Sequence, residues 1–178
     1  ENHQHQCNKD AEILKEQKEW MNTDNDDDDD DELFQAILPN DDCPLCNLPF
    51  PIEYAEQLYL ACCGNLICEG CFEENVRVTF ERGLIPSCAF CRKPTPTSDN
   101  EIIIRIKKRM ELNDSGAIYK LSRFYKSGEC GLPKNSQKAF ELCLYAAKLS
   151  HANACNTLAM YYKDGVIVAK DMTKARKY

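Results

Sequence analysis

Twelve of the 178 residues are cysteine, and eight of the twelve lie between positions 43 and 91. Cys43 and Cys46, Cys68 and Cys71, and Cys88 and Cys91 are three Cys-x-x-Cys pairs, while Cys62 and Cys63 are adjacent. The loops between successive pairs hold fifteen, four and sixteen residues. A Cys-x-x-Cys turn puts two thiolates on one side of a tight knuckle, suited to two corners of a zinc tetrahedron. Four pairs supply eight ligands, enough for two sites of four thiolates each. Such sites leave no open coordination position, so the pattern implies two structural Zn2+ ions and no catalytic metal. The metals supply folding energy to a segment too short to build a large core alone.

Other uses of the cysteines fit less well. A disulfide framework needs an oxidising compartment and does not account for the repeated Cys-x-x-Cys. A thioredoxin-like redox motif needs a βαβ context, which this sequence lacks. Eight cysteines read as ligands favour a reducing compartment, cytoplasm or nucleus. The demanding pair is Cys62-Cys63, because adjacent side chains on an extended strand point to opposite faces. Both reach one metal only if the backbone turns there, a turn that Gly64 can help. None of His3, His5 and His151 is close in sequence to replace a missing ligand.

Local elements must hold these pairs. Leu58 and Leu60 alternate with Gln57, Tyr59 and Ala61, the pattern of a short half-buried strand leading into the ligands. Phe72, Val76 and Phe80 recur on one face of a helix and are expected in the core, with Gly83 placed to cap its end.

The order of pairs and loops resembles a RING finger of the all-cysteine subgroup, which shares the "CG" and "IC" of Cys63-Gly64-Asn65-Leu66-Ile67-Cys68. The resemblance implies a small α+β cross-brace in which alternate pairs share a metal. Cys43, Cys46, Cys68 and Cys71 would hold one zinc, and Cys62, Cys63, Cys88 and Cys91 the other. It also implies partners, a ubiquitin-conjugating enzyme and ubiquitin, and an activity that positions the loaded enzyme without a covalent intermediate, so no cysteine is catalytic. Three contact positions match the family: Leu45 before the second ligand, Phe90 between the last two, and Arg92 after the last. Arg has the multiple donors needed to bridge enzyme and ubiquitin. Pro94 completes a common RING ending. Two positions depart: Ala89 stands where a proline is usual, and Asn75 where a bulky apolar residue is expected. Both weaken the docking surface, so a non-enzymatic interaction scaffold is the alternative reading. A FYVE finger needs a basic motif where this chain has Gln57–Ala61. A PHD finger takes His where this chain has Cys68.

The C-terminal part repeats itself. Ala117-x3-Leu121-x3-Tyr125-Lys126-x-Gly128 recurs 37 residues later as Ala154-x3-Leu158-x3-Tyr162-Lys163-x-Gly165. Lys134-Asn135-x2-Lys138-Ala139 recurs 36 residues later as Lys170-Asp171-x2-Lys174-Ala175. A period of this length suggests paired helices stacked as an all-α solenoid. Gly128 and Gly165 are placed to end the first helix of each pair, and Asn135 and Asp171 to cap the second. Cys143 and Cys155 read as small core residues, and His151 as a cap or loop residue between repeats. The pattern resembles Sel-one-like repeats, relatives of tetratricopeptide repeats, which implies a surface that binds a protein or peptide. Ser98 with Glu101 reads as a capping box opening a linker helix to about Leu112, with Ile103, Ile106 and Met110 on one face.

Four regions follow: a disordered acidic arm at 1–40, a RING-type zinc finger at 41–97, a linker helix at 98–113 and helical repeats at 114–178, the second incomplete. The net charge of −7 divides among them. The arm carries thirteen acids against three bases, most of them between Asp24 and Glu32, and repulsion among so many like charges resists compaction. Glu12 to Met21 can form a short helix, and Trp20 and Cys7 support no site. Residues 98–178 carry fifteen bases against eight acids, spread at helical spacing without interleaved exposed aromatics, which does not point to nucleic acid. No apolar run approaches the ~20 residues that span a bilayer. The chain begins with Glu1 and stops early in a predicted helix, so a longer native protein is expected. The combined reading is a zinc-binding RING-type ubiquitin ligase whose helical repeats recruit a protein substrate.

Overall fold

The computed structural model describes residues 42–50 and 57–178. The acidic arm, the predicted helix at 12–21, Trp20, Cys7, His3 and His5 lie outside them. Strands β1 (Gln57–Tyr59) and β2 (Leu66–Cys68) pair antiparallel, with Leu58 opposite Ile67. Helix α1 (Glu69–Glu81) follows β2 directly. It ends as its sequence predicts: Gly83 takes a φ of +67°. Its N–H bonds Phe80 O at 2.9 Å while Leu84 N–H bonds Thr79 O at 2.9 Å. This closure satisfies the last carbonyls of the helix.

The predicted core face of α1 needs correction. Phe72 and Val76 are half-buried, but Phe80 is 77% exposed. Periodicity puts all three on one face; it does not supply a neighbour for each turn. The covering segment reaches the middle of the helix, where Asn75 Nδ2 donates to Ser87 O at 2.8 Å. One turn further on Phe80 is left to solvent.

Five helices follow: α2 (Asp99–Met110), α3 (Ser115–Ser127), α4 (Ser136–Lys148), α5 (Ala152–Asp164) and α6 (Met172–Lys177). Ser98 Oγ accepts from Glu101 N–H at 3.3 Å, half of the expected capping box. Glu101 returns its carboxylate to Thr97 N–H rather than to Ser98. Ile103, Ile106 and Met110 are buried as the pattern requires. The helices pack through small residues: Ala117, Ala139, Cys143, Ala146, Ala147 and Ala154 are fully buried. Small side chains at these positions let backbones approach and leave Ile118 and Leu158 to fill the space between.

The repeat persists in three dimensions, down to single hydrogen bonds. Gly128 and Gly165 both adopt left-handed backbone and close α3 and α5. Asn135 N–H bonds Tyr125 O at 2.8 Å, and its counterpart Asp171 N–H bonds Tyr162 O at 2.9 Å. Lys138 Nζ lies over the Tyr125 ring, and Lys174 Nζ over that of Tyr162. Asn113 and Ser150, also 37 apart, both have positive φ. Each precedes an N-cap, Asp114 for α3 and His151 for α5.

His151 therefore fills the role of Asp114 with a different acceptor. Its Nδ1 accepts from Ala154 N–H at 3.3 Å while its ring packs 4.7 Å from that of Tyr119. Burial pulls its pKa down to about 4, against a smaller opposing pull from the Asp114 charge. Because the fold prefers the neutral ring, this contribution is complete above pH 6.5 and is lost as pH falls from there toward 4. The change amounts to about 3 kcal/mol. Denaturant titrations of the native protein and His151→Asn across pH 7 to 4 should show this slope in the first only. Metal loss from the cysteine-rich region is common to both and cancels in the difference. Equal slopes would show that His151 titrates normally.

The cysteine-rich region and the helices share a junction. Tyr59 and Ala61 pack against the helical core, and the strand is half-buried as its pattern predicts. Tyr59 Oη donates to Asp114 Oδ2 at 2.8 Å, and Arg109 Nε donates to the same oxygen at 2.8 Å. Asp114 Oδ1 caps α3 through Ala117 N–H.

Candidate metal centre

Eight sulfurs gather into two groups of four, each with all its sulfurs within 4.8 Å of one another. Cys43, Cys46, Cys68 and Cys71 form one; Cys62, Cys63, Cys88 and Cys91 form the other. The first and third pairs in the sequence thus share one group, and the second and fourth share the other. Zn–S bonds of ~2.3 Å in a tetrahedron place sulfurs about 3.8 Å apart. Cys46 Sγ and Cys68 Sγ are 3.9 Å apart, and Cys63 Sγ and Cys88 Sγ 3.7 Å. The donor set and its spacing fit a four-thiolate zinc site in both places.

Two of the pairs sit on knuckles of the same design. In the first, Asn47 N–H bonds Cys43 O at 2.8 Å and Cys43 N–H bonds Leu48 O at 2.8 Å. In the second, Arg92 N–H bonds Cys88 O at 3.0 Å and Cys88 N–H bonds Lys93 O at 2.8 Å. Asn47 and Arg92, each one residue past the second cysteine, have φ of 55° and 62°. That left-handed residue returns the chain after each knuckle, and the returning segments pair as bridges between Asp42 and Pro49 and between Ser87 and Pro94. Both knuckle cysteines that start the turns, Cys43 and Cys88, are buried.

The adjacent pair reaches one group because the backbone does turn. Leu60 O accepts from both Cys63 N–H at 3.1 Å and Gly64 N–H at 2.8 Å, and Gly64 has a φ of +82°. Leu60 N–H then bonds Asn65 O at 2.9 Å, so Cys62 and Cys63 occupy the tip of the β1–β2 hairpin. Cys68 and Cys71 lie where β2 runs into the first turn of α1.

The sulfurs of each group lie close enough to affect one another's ionisation. Burial disfavours the Cys43 thiolate, but backbone N–H groups of Cys68, Cys46 and Leu45 outweigh it and bring the pKa down to about 6. Cys68 N–H lies 3.4 Å from Cys43 Sγ. Cys62 and Cys71 are pushed far up, first by burial and then by the neighbouring sulfurs. Four thiolates this close repel one another, and a divalent ion reverses that balance by attracting all four. Sequence reasoning missed the groups around the sulfurs. Asn65 Nδ2 donates to Cys63 Sγ at 3.3 Å. Asn65 was visible as part of the motif, but its orientation depends on the hairpin. Asn47 was legible in principle, since it and Arg92 hold the same place after a Cys-x-x-Cys.

The residues expected to meet a conjugating enzyme are placed as follows. Leu45 is 41% exposed and Phe90 36% exposed, one on each knuckle, and Arg92 is exposed beside Phe90. Pro94 lies in the bridge opposite Ser87. Asn75 is turned onto Ser87 O and does not present its amide outward.

The helical part resolves into two units of one design, α3 with α4 and α5 with α6. Residues 115–151 and 152–178 match the Sel1 repeat. The Sel1 repeats begin at Ser115, immediately after the Asp114 that joins them to the hairpin, and the boundary between the two falls at the His151 cap. No curated protein matches the chain. No helix among the described residues is long and apolar enough to cross a membrane.

Proposed function

We propose that the chain binds two structural zinc ions in a RING-type cross-brace and acts as a ubiquitin ligase whose Sel1 repeats recruit a protein substrate. The interleaved grouping of the eight sulfurs carries this reading. Cys43, Cys46, Cys68 and Cys71 are the ligands of one zinc, and Cys62, Cys63, Cys88 and Cys91 those of the other. Leu45 and Phe90 offer apolar contacts, one from each of two knuckles, to a conjugating enzyme. Arg92 supplies donors to the enzyme and to ubiquitin, and Pro94 stiffens the segment behind it. Catalysis is then positioning of a thioester, with no covalent intermediate on this chain. Thiolate-held zinc fits a reducing compartment, cytoplasm or nucleus.

The test is reconstitution with ubiquitin, activating enzyme and a panel of conjugating enzymes. Ubiquitin chains are expected with at least one enzyme. Arg92→Ala should lower the rate about tenfold or more, the loss of a charge-assisted hydrogen bond. Zinc content should stay unchanged, because alanine meets the same left-handed φ as arginine. No chain formation with any conjugating enzyme would refute ligase activity. A second reading, a zinc-stiffened scaffold without activity, is favoured by one observation: Asn75, at the position expected to be bulky and apolar, is bonded inward to Ser87 O. Ala89 points the same way by leaving the docking face without its usual proline.

A further inference from the structure

A cavity of about 350 Å3 opens between the cysteine-rich region and the helices α2 and α3. Phe72, Pro96, Ile102 and Phe124 give it apolar walls. No Asp or Glu lines it, and three cations do: Lys93, Arg105 and Lys120. Cys62 and Cys88 of the second sulfur group also border it and, as thiolate ligands, count on the anionic side. Arg105 is already held by Glu101 at 2.5 Å, and Lys93 is exposed to solvent. Lys120 differs from both. It is half-buried, its Nζ lies 5.2 Å from the centroid of the Phe124 ring in the cavity wall, and no carboxylate among the described residues forms an ion pair with it. Burial pulls its pKa below the ordinary lysine range, with Arg123 adding to the pull and Glu129 opposing it. A partly desolvated ammonium beside an apolar cavity is a costly arrangement that an anion would relieve.

We propose that this cavity takes the free C-terminus of a partner polypeptide ending in an apolar side chain, with the terminal carboxylate pairing with Lys120. The volume is near the lower end of the ~300–1,000 Å3 range of ligand sites. It suits one or two terminal residues better than a long acyl chain. A terminal carboxylate on an apolar residue joins the two features the walls offer, one fixed cation and a surrounding apolar surface. The inference rests on the reading of the repeat region as a recruiting platform. It does not require ligase activity.

The zinc-loaded full chain should be offered a synthetic octapeptide library with the last three positions randomised, once as free acids and once as C-terminal amides. The free-acid library should enrich Leu, Ile, Val, Phe or Met at the last position. Amides of the selected peptides should bind about tenfold more weakly or worse, as expected for loss of a charge-assisted bond. Lys120→Gln should bring acid and amide to the same weak affinity, and Lys120→Arg should keep the difference. Ile102→Trp, which fills the cavity, should abolish binding of both while zinc content and helical circular dichroism stay unchanged. Absence of apolar enrichment, equal binding of acid and amide by the native chain, or discrimination that survives Lys120→Gln would overturn the proposal. So would binding of decanoate with no binding of any peptide, since the cavity would then belong to a small amphiphile. The assay reads no ubiquitin transfer, so its failure and that of the ligase reading are separate results.

Discussion

Stripping the metal with a strong chelator is expected to unfold the β1–β2 hairpin, α1 and the Cys-x-x-Cys knuckles while most of the helical signal from α2–α6 survives. Native mass measurement before stripping should give two zinc ions per chain. The size of the effect follows from the source of stability. Helix α1 has no buried residue, the sheet has two strands of three residues, and the buried side chains of this region include the ligands Cys43 and Cys88. Structural zinc supplies about 10–16 kcal/mol in comparably small modules, more than so little apolar burial provides. Helices α2–α6 bury their own core around Ile106, Ile118 and Leu158 and have no ligand among them. The two centres should also differ. Cys63 sits at the hairpin tip next to Gly64, whose backbone is against Arg109 and Asp114. Cys63→Ser should therefore lower the melting temperature of the helices as well as lose a zinc. Cys46→Ser, on the first knuckle, should lose a zinc and leave the helices nearly unchanged. Equal effects of the two variants on the helices would show that the junction does not transmit the loss. A single zinc in the native protein would mean that the second group is not a metal site.

Gly64→Ala should destabilise the native protein by about 3 kcal/mol or more in denaturant titration, a large cost for one methyl group. Two causes add. The φ of +82° is strained for any residue with a Cβ, which costs about 1 kcal/mol. The new methyl would also overlap the Arg109 guanidinium and stand 2.7 Å from Asp114 Oδ2. Relief requires moving the Arg109–Asp114 pair, which is also the partner of Tyr59 and the cap of α3. Gly83→Ala isolates the first cause. Gly83 has a similar φ of +67° but nothing within 4 Å of an added Cβ. It should cost only the backbone strain, and the difference between the two variants measures the junction. If both cost the same, the contact between hairpin and helices contributes nothing to stability.

Features set within a few residues of backbone were legible in the sequence. The Cys-x-x-Cys knuckles, the Ser98, Asn135 and Asp171 caps, and the terminating Gly83, Gly128 and Gly165 depend on local φ and on hydrogen bonds three or four residues away, so residue type and spacing suffice. The repeat was legible for a related reason. Each unit packs by the same contacts, and repetition of Ala117, Leu121 and Tyr125 as Ala154, Leu158 and Tyr162 displays them twice. Only the tertiary structure decided the rest. It turned the backbone at Leu60–Gly64 so that two adjacent cysteines point into one group, the condition on which the grouping of Cys62 and Cys63 with Cys88 and Cys91, implied by the family resemblance, depended. It left Phe80 in solvent despite its helical register. It covered the Tyr59 face of β1 with the helices and left Lys120 beside an apolar cavity. A sequence states what each residue can contact along its own helix or turn. Which neighbour arrives through space depends on how distant elements share one volume, and that is decided only when they pack.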